Sequence, residues 1–446
     1  MINSNYSIDT EREEDYLAKP VTEEKLTAQK NRLFEIVRTR FNEAADIINL
    51  DPKIRKILEK PINEVVVNFP VKMDDGEIRM FTGYRVQHND ALGPFKGGIR
   101  FHQDATFEEI RAHAVWMTLK SAVANIHFGG AKGWLNIDPM AFSIGELERI
   151  TRRLTYALRN NIGPEYDILA PDINTNSQVM AWIQDTYLSM MPREQRNANI
   201  HIVTGKPLES GGSQGREKAT AQGIVYCIEQ WAADNNFKLD GAGIIVQGYG
   251  CVGSWVSRLL KLLGARIVAV EDMTGAIRNI EGLDPDALYD WVKSNRGVSG
   301  YPDSTRIDHK TFMSTKADIF IPAAVENQIT SETAPLLDVR LVAEGANMPT
   351  DPGGDAVLRD RGIALIPDIL CNSGGVIVSY FEWLQNKRNE FWDIQEVDSK
   401  LRKKIISAYI DVRDTAKMHK ADWRLSAIIV ALTRIEKAYK DKDILP

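Results

Sequence analysis

Residues Gly243-Ile244-Ile245-Val246-Gln247-Gly248-Tyr249-Gly250-Cys251-Val252-Gly253 decide the fold of this chain. Gly243 to Gln247 is a short apolar run of strand length, and Val256, Leu259 and Leu260 continue past Gly253 at helical spacing. A strand that turns through Gly-x-Gly-x-x-Gly into a helix lets backbone amides and the helix dipole approach a pyrophosphate. Alone, such a glycine pattern is often an ordinary turn. Here a second apolar run follows, Ile267 to Glu271, and Glu271-Asp272 begin 23 residues beyond Gly248, where a carboxylate would accept from ribose hydroxyls. Gly248, Gly250, Cys251, Val252, Gly253, Glu271 and Asp272 are therefore candidate cofactor residues. Two carboxylates at that strand end would repel a 2′-phosphate, which favours NAD. Arg266 and Arg278 lie close enough in sequence to leave NADP open.

Working outward, Ala317 to Ile321, Arg340 to Ala343 and Ile363 to Ile366 are further short apolar runs separated by helical or loop segments. Apolar strands alternating with crossovers predict a parallel, doubly wound α/β sheet. Upstream the texture differs. Leu33, Ile36, Val37, Phe41, Ala44, Ala45 and Ile48 recur at helical spacing and predict a long amphipathic helix within Glu23 to Leu50. Val65 to Val86 reads as a hairpin around Asp74-Asp75-Gly76. A helix is expected from about Thr106 to Asn125, with Thr106 as N-cap and Glu109 completing a capping box. From about Lys400, Ile405, Ile406, Tyr409 and Val412, then Ile428, Ile429, Leu432 and Ile435, return to helical spacing. The expected division is an N-terminal α+β substrate-binding and oligomerisation domain over 1–205 and a Rossmann-type dinucleotide-binding domain over 206–375. Residues 376–446 should form cleft-crossing and C-terminal helices that pack back on the first domain.

The chain has 446 residues, enough for about two to four domains. A net charge of −6 without a long basic block argues against general nucleic-acid binding. No apolar stretch approaches the roughly 18 residues of a membrane span. The start, MINSNYSIDTEREEDYLAK, has acids where a presequence would have bases, so cytoplasmic residence is expected. Cys227, Cys251 and Cys371 are far apart in sequence and lack CxxC spacing, and the seven histidines show no HxxxH or HExxH arrangement, so no metal is expected.

A second constellation precedes the glycine turn. It comprises Pro94-Phe95-Lys96-Gly97-Gly98-Ile99-Arg100-Phe101-His102, Met117-Thr118-Leu119-Lys120 and Gly129-Gly130-Ala131-Lys132-Gly133. Taken singly, each lysine reads as a solvated surface residue. As a set, with two of the lysines beside paired glycines that let backbone pass close to a ligand, they suggest an anionic substrate. Mutual repulsion with partial burial would lower at least one of their pKa values toward neutrality and make that lysine a general base. Asp172, in Ala170-Pro171-Asp172-Ile173-Asn174-Thr175, is the natural carboxylate partner, although on the residues alone a turn or cap aspartate is the simpler reading.

From about Asn63 to Trp383 the chain resembles the Glu/Leu/Phe/Val dehydrogenase family, and within it the hexameric glutamate-type members. The resemblance runs in order through PFKGGIRFH, MTLK, GGAKG, APDINT, TGKP, GGSQGREKAT, VQGYGCVG, IPAAVENQIT, VAEGAN and PDILCNSGGVIVSYFEW. It implies reversible oxidative deamination of glutamate to 2-oxoglutarate and ammonia, coupled to reduction of a nicotinamide dinucleotide, by a homohexamer. By the same resemblance Lys96 would meet the side-chain carboxylate and Lys120 the α-carboxylate. Lys132 would activate water, and Asp172 would move the amine proton. Thr220 and Asn347 would hold the nicotinamide carboxamide. Ser379 would help bind the distal carboxylate, with Ala170 and Val376 lining that pocket.

Lys96 and Ser379 favour glutamate, because an apolar amino acid would leave a buried lysine unpaired. Cys251, Trp134, Met348, Cys371 and the pair Ala221-Gln222 depart from the family pattern; Trp134 and Met348 have the size to tighten the cleft, but neutral drift in packing is the preferred reading. The competing readings are a dehydrogenase for another side chain, a weakly active or inactive regulatory subunit, and a dinucleotide-binding module without amino-acid chemistry. Lys96 and Ser379 oppose the first, intact Lys96, Lys120, Lys132 and Asp172 speak against the second, and the third leaves the ordered lysine and Gly-Gly motifs unexplained.

Overall fold

The structure, a computed structural model, describes residues 23–103 and 106–442, with side chains from residue 34 onward. The acidic segment before Pro20 and the side chain of Leu33 lie outside the described residues.

The first sheet is built from β1 (Asn63–Lys72), β2 (Ile78–Asn89), β3 (Phe95–Phe101), β4 (Gly130–Leu135) and β5 (Asp167–Pro171), in the order β1-β2-β4-β3-β5. β1 and β2 pair antiparallel as the expected hairpin, and β4, β3 and β5 run parallel to one another. Gly97 sits on β3 where an added Cβ would lie 1.6 Å from the Ala131 carbonyl oxygen, and one on Gly130 would lie 2.2 Å from the Thr118 amide. Gly97, Gly129 and Gly130 thus admit the chain's own backbone: β3 closes on β4, and β4 closes on the helix Phe107–Val123, because no side chain stands between them. Gly98 instead faces the Asp172 side chain, and Gly97 and Gly98 also line the cleft between the lobes.

Arg85 on β2 is buried and grips Asp167 on β5 with Nε–Oδ2 2.8 Å and a second bond of 2.5 Å, while its Nη1 donates to the Gly97 and Gly98 carbonyls at 3.2 and 3.3 Å. This doubly bonded, fully buried pair fixes β3 between its neighbours. Thr106 accepts from the Glu109 amide at the start of Phe107–Val123, as expected, while the Glu109 carboxylate lies 4.0 Å from Arg100.

The second sheet contains β6 (Gly243–Gln247), β7 (Arg266–Asp272), β8 (Gly275–Leu283), β9 (Thr305–Ile307), β10 (Ile319–Pro322), β11 (Leu341–Ala343) and β12 (Ala364–Ile366). Their order is β12-β11-β10-β6-β7-β8-β9. All five strands expected from the sequence are present and mutually parallel. β8 and β9 extend the sheet antiparallel beyond β7. They escape a sequence reading because Arg278, Asn279 and Glu281 interrupt the apolar pattern on a half-solvated edge.

The helix Trp423–Asp441 packs on Phe107–Val123 and on the N-terminal helix Glu23–Ile47, so the tail does return to the first lobe. Ions lash the junction. Arg424 binds Glu344 (2.6 Å), Asp355 (2.8 Å) and Asp368 (3.4 Å) of the second lobe, Arg40 pairs with Asp355, and Trp116 Nε1 donates to Asp368 at 2.7 Å. Cys227 and Cys371, far apart in sequence, are buried neighbours, because the helix Ala219–Asp234 packs against the turn Asp368–Cys371. Among the described residues no helix is long and apolar enough to cross a membrane.

Candidate active site

Between the lobes lies a cleft of about 1160 Å³ whose walls include Lys96, Lys120, Ala170, Asp172, Thr220, Gly250, Cys251, Val252, Asn347, Val376 and Ser379. Lys132 joins them through a short contact with Asp172. Twelve of the sixteen residues singled out from the sequence therefore meet in one place.

At the far end, Lys96 points from β3 with 1% exposure, and its Nζ donates to Thr204 Oγ1 (2.7 Å) and to the carbonyls of Leu169 (3.0 Å) and Ile168 (3.4 Å). Burial pushes its pKa well below the ordinary lysine range, against the opposing pull of Glu382. Beside it, Arg216 Nε donates to Ser379 Oγ at 3.2 Å. Arg216 was quoted in the sequence only as part of GGSQGREKAT. Nothing in that loop's pattern says that its guanidinium is folded inward, where burial lowers its pKa.

Nearer the middle, Lys120 ends the helix Phe107–Val123 and donates to Asn347 Oδ1 at 2.7 Å, reaching across the cleft to the second lobe. Burial lowers its pKa, with Asp368 opposing.

Lys132, on β4, faces Asp172 after β5. Arg100 Nε donates to Asp172 Oδ1 at 2.8 Å, and the Ile173 amide donates to the same oxygen at 2.8 Å. Gly98 makes this possible, since a Cβ there would stand 2.5 Å from Asp172 Oδ2. Burial, then Arg100, bring the Lys132 amine down to about 8. The expected repulsion among the three lysines is thus not the main cause: Lys120 is the smallest of the influences on Lys132, behind burial and Arg100. Burial works to raise Asp172, but Arg100 and Lys132 outweigh it and hold the carboxyl far below its usual range. Asp172 is not a helix cap. Arg100, missed as a functional residue, also faces His113 Nε2 at 3.2 Å and Glu326 of the second lobe at 3.6 Å.

Three departures from the family pattern acquire a place. Trp134 lies 2% exposed with its ring 5.3 Å from the Arg100 guanidinium and its Nε1 on the His102 carbonyl at 2.7 Å, so it backs Arg100 rather than narrowing the cleft. Met348 is buried at a φ of 47° with its amide on Asp368 at 2.8 Å. Cys251 opens the helix Cys251–Lys261 with Sγ 3.3 Å from the Glu217 carbonyl.

The glycine turn fits a dinucleotide. Gly248 has a φ of 88°, and a Cβ on Gly253 would lie 1.8 Å from the Gly248 carbonyl oxygen, so the helix Cys251–Lys261 starts tight against the turn. An added Cβ on Gly250 meets nothing within 4 Å. No side chain caps this helix, which leaves its first amides for an anion in the cleft. Gly248, Gly253, Glu271 and Asp272 are not in the cleft wall; the two glycines shape the turn. Glu271 accepts from Gln247 (3.0 Å) and His309 (2.9 Å). Asp272 accepts from Thr274 through Oδ1, which holds its own turn, and from the Val298 amide through Oδ2 (2.9 Å), which ties that turn to the segment after the helix Pro285–Asn295.

Two lobes, a dinucleotide turn on one and buried lysines with a carboxylate on the other, define a two-domain dehydrogenase with an anion-binding substrate pocket. Residues 61–189 match the Glu/Leu/Phe/Val dehydrogenase dimerisation domain, and residues 211–442 match the Glutamate/Leucine/Phenylalanine/Valine dehydrogenase domain. The chain belongs to this family. It is 43% identical over 415 residues to a glutamate dehydrogenase of Thermotoga maritima, covering 93% of this chain and 99% of that one. An NAD-specific glutamate dehydrogenase of Staphylococcus aureus is 41% identical over 410 residues, 92% of this chain and 98% of that one. Among solved structures, hetero-hexameric glutamate dehydrogenase from Thermus thermophilus superposes with a TM-score of 0.89 at 34% identity, covering 93% of this chain and 98% of that one.

Proposed function

We propose that the protein is an NAD-dependent glutamate dehydrogenase, which converts glutamate, water and NAD to 2-oxoglutarate, ammonium, reduced NAD and a proton, reversibly. The observation that carries this is the far end of the cleft, where the buried Lys96 and the half-buried Arg216, with Ser379, make a cationic pocket suited to a second carboxylate. An apolar side chain there would leave these cations buried without a partner. Relatives about 40% identical over nearly the whole chain are named for the same activity, some as NAD-specific.

Lys96, Arg216 and Ser379, flanked by Ala170 and Val376, bind the distal carboxylate, and Lys120 binds the α-carboxylate in exchange for its hydrogen bond to Asn347. Both ends of glutamate are then fixed, and its Cα lies toward Lys132 and Asp172. Asp172 moves the proton of the amine. Lys132, neutral above about 8, accepts a proton from the water that adds to the iminium carbon. Gly250, Cys251 and Val252 at the helix start would hold the pyrophosphate of NAD, Thr220 and Asn347 its carboxamide, and Glu271 its ribose, with Gly248, Gly253 and Asp272 shaping the turn and its neighbouring loop. Held there, NAD would supply the acceptor for the hydride that leaves Cα.

The chain divides near residue 205 into the substrate-binding and oligomerisation lobe and the dinucleotide lobe, with the segment from 376 crossing the cleft and returning. That division is supported by the separate sheets and by the packing of Trp423–Asp441 on Phe107–Val123. Cytoplasmic residence and a homohexamer complete the proposal; three free cysteines support the first, and the hetero-hexameric Thermus thermophilus enzyme supports six subunits without bearing on whether they are identical. The test follows absorbance at about 340 nm, the band of the reduced nicotinamide, with 2-oxoglutarate and ammonium, NADH or NADPH in parallel, and 4-methyl-2-oxopentanoate as the comparison substrate. Faster consumption with 2-oxoglutarate and NADH is expected; preference for the branched substrate, or no consumption with any pair, rejects the proposal.

A further inference from the structure

The chain contains a buried carboxylate in the neighbourhood of Lys96 that does not pair with it. Glu382, on the helix Gly374–Arg388, is the leading charge that opposes the lowering of both the Lys96 and the Arg216 pKa, so its field reaches both cations. Its oxygens are engaged elsewhere. Lys206 Nζ lies 2.6 Å from Glu382 Oε1, with both side chains 0% exposed. The Gly205 amide donates to Oε2 at 2.8 Å, and the Lys206 amide donates to Oε1 at 3.3 Å. Lys206 Nζ is itself held by the Val203 carbonyl at 2.6 Å. By contrast, Lys96 donates to one hydroxyl and two carbonyls, and Arg216 to the Ser379 hydroxyl.

The pocket end thus holds three cations, Lys96, Arg216 and Lys206, and one carboxylate spoken for by the third. Val376, Ser379 and Glu382 recur every three residues along the same helix, so the side chains that line the pocket and the one that anchors it share one rigid support. Lys206 and Glu382 also join the segment after β5 to the helix that crosses the cleft.

We infer that Lys206 determines substrate specificity indirectly: by holding Glu382 it prevents an internal ion pair with Lys96 or Arg216 and so leaves those cations for a substrate carboxylate. Lys206 is a positioning residue and touches neither substrate nor cofactor in this role. A buried carboxylate stripped of its counter-ion pairs anew or takes up a proton, and the cations whose field it already shares are the substrate's own ligands. The substrate would then have to displace an internal carboxylate, which weakens binding without altering the reacting atoms.

The inference rests on the assignment of Lys96 and Arg216 to the distal carboxylate, and the full-length protein tests both. In Lys206→Met, the KM for glutamate is expected to rise about 30-fold while kcat at saturation stays within about threefold and the KM for NAD is unchanged. Adding Glu382→Gln to that variant removes the released charge and should recover most of the lost KM. An unshifted KM in Lys206→Met, or a double variant no better than the single one, overturns the inference. Should Lys206→Met fail to fold, Glu382→Gln alone decides: it leaves the cations without an internal competitor, so the glutamate KM should not rise, and a rise of about tenfold would overturn the inference. Absence of glutamate turnover in the wild-type protein refutes instead the assignment on which it rests.

Discussion

On the wall of the cleft formed by the first sheet, Lys96, Arg100, Lys120 and Lys132 are each at most 6% exposed, and every one of them is held by a named partner. On the facing wall, Gly250, Cys251 and Val252 open a helix whose first amides no side chain caps, and behind them Gly248, in the left-handed region, and Gly253 shape the turn. The first wall works by charge that burial has made strong and costly to leave unpaired. The second works by shape, since a pyrophosphate needs close amides more than it needs a countercharge. Damage should therefore look different on the two sides: a change on the first wall should stop chemistry with the cofactor still bound, and a change on the second should loosen the cofactor with the chemistry intact.

The largest expected effect is on the first wall. Asp172→Asn removes the carboxylate between Arg100 and Lys132, and kcat should fall about 10³-fold while NADH binding, followed by its fluorescence, stays within a factor of about two. Near-native turnover would remove Asp172 from proton transfer and break the contrast. A smaller effect is expected on the second wall. Gly253→Ala puts a Cβ 1.8 Å from the Gly248 carbonyl oxygen, so the helix must shift. NADH should bind about tenfold more weakly, with kcat at saturating NADH within about threefold, a cost in the range of mild overpacking. If kcat fell and affinity held, the two walls would not be separable in this way.

The smallest effect sharpens the comparison inside the first wall. Burial and Arg100 lower Lys132 to about 8, so below that pH the amine is protonated and cannot accept a proton. In the deamination direction kcat/KM should rise with pH and reach half its plateau near 8, falling about tenfold per pH unit well below it. A limb at the ordinary lysine pKa would show that burial and Arg100 do not lower the base, and a profile without any limb would remove Lys132 from that role.

How much of this was legible depended on whether neighbours in sequence were also neighbours in space. The strand Gly243–Gln247, its glycine turn and the following helix are local, and β6 occupies the residues the pattern indicates. The hairpin around Asp74-Asp75-Gly76 is local too. The antiparallel β8 and β9 were not, because polar residues on an edge carry no alternation to detect. In the site, Lys96, Lys120, Lys132 and Asp172 could be named from their motifs, but Arg100 and Arg216 stand in equally recognisable stretches and gained roles only when Asp172 and Ser379 came within hydrogen-bonding reach. Asp272 shows the reverse: a position suited to ribose by spacing is used up by Thr274 of its own turn and by the Val298 amide, 26 residues on.

The sequence by itself determined the two-lobed α/β plan, the dinucleotide turn and the kinds of charge brought to the cleft, since periodicity, glycine placement and residue type are properties of short segments. Only the tertiary structure decided which cation faces which carboxylate. Lys206 takes Glu382, Arg100 and Lys132 share Asp172, and Lys120 reaches Asn347. Those pairings join residues separated by between 40 and 227 positions. Their strength comes from burial, which no segment achieves until the others have packed around it.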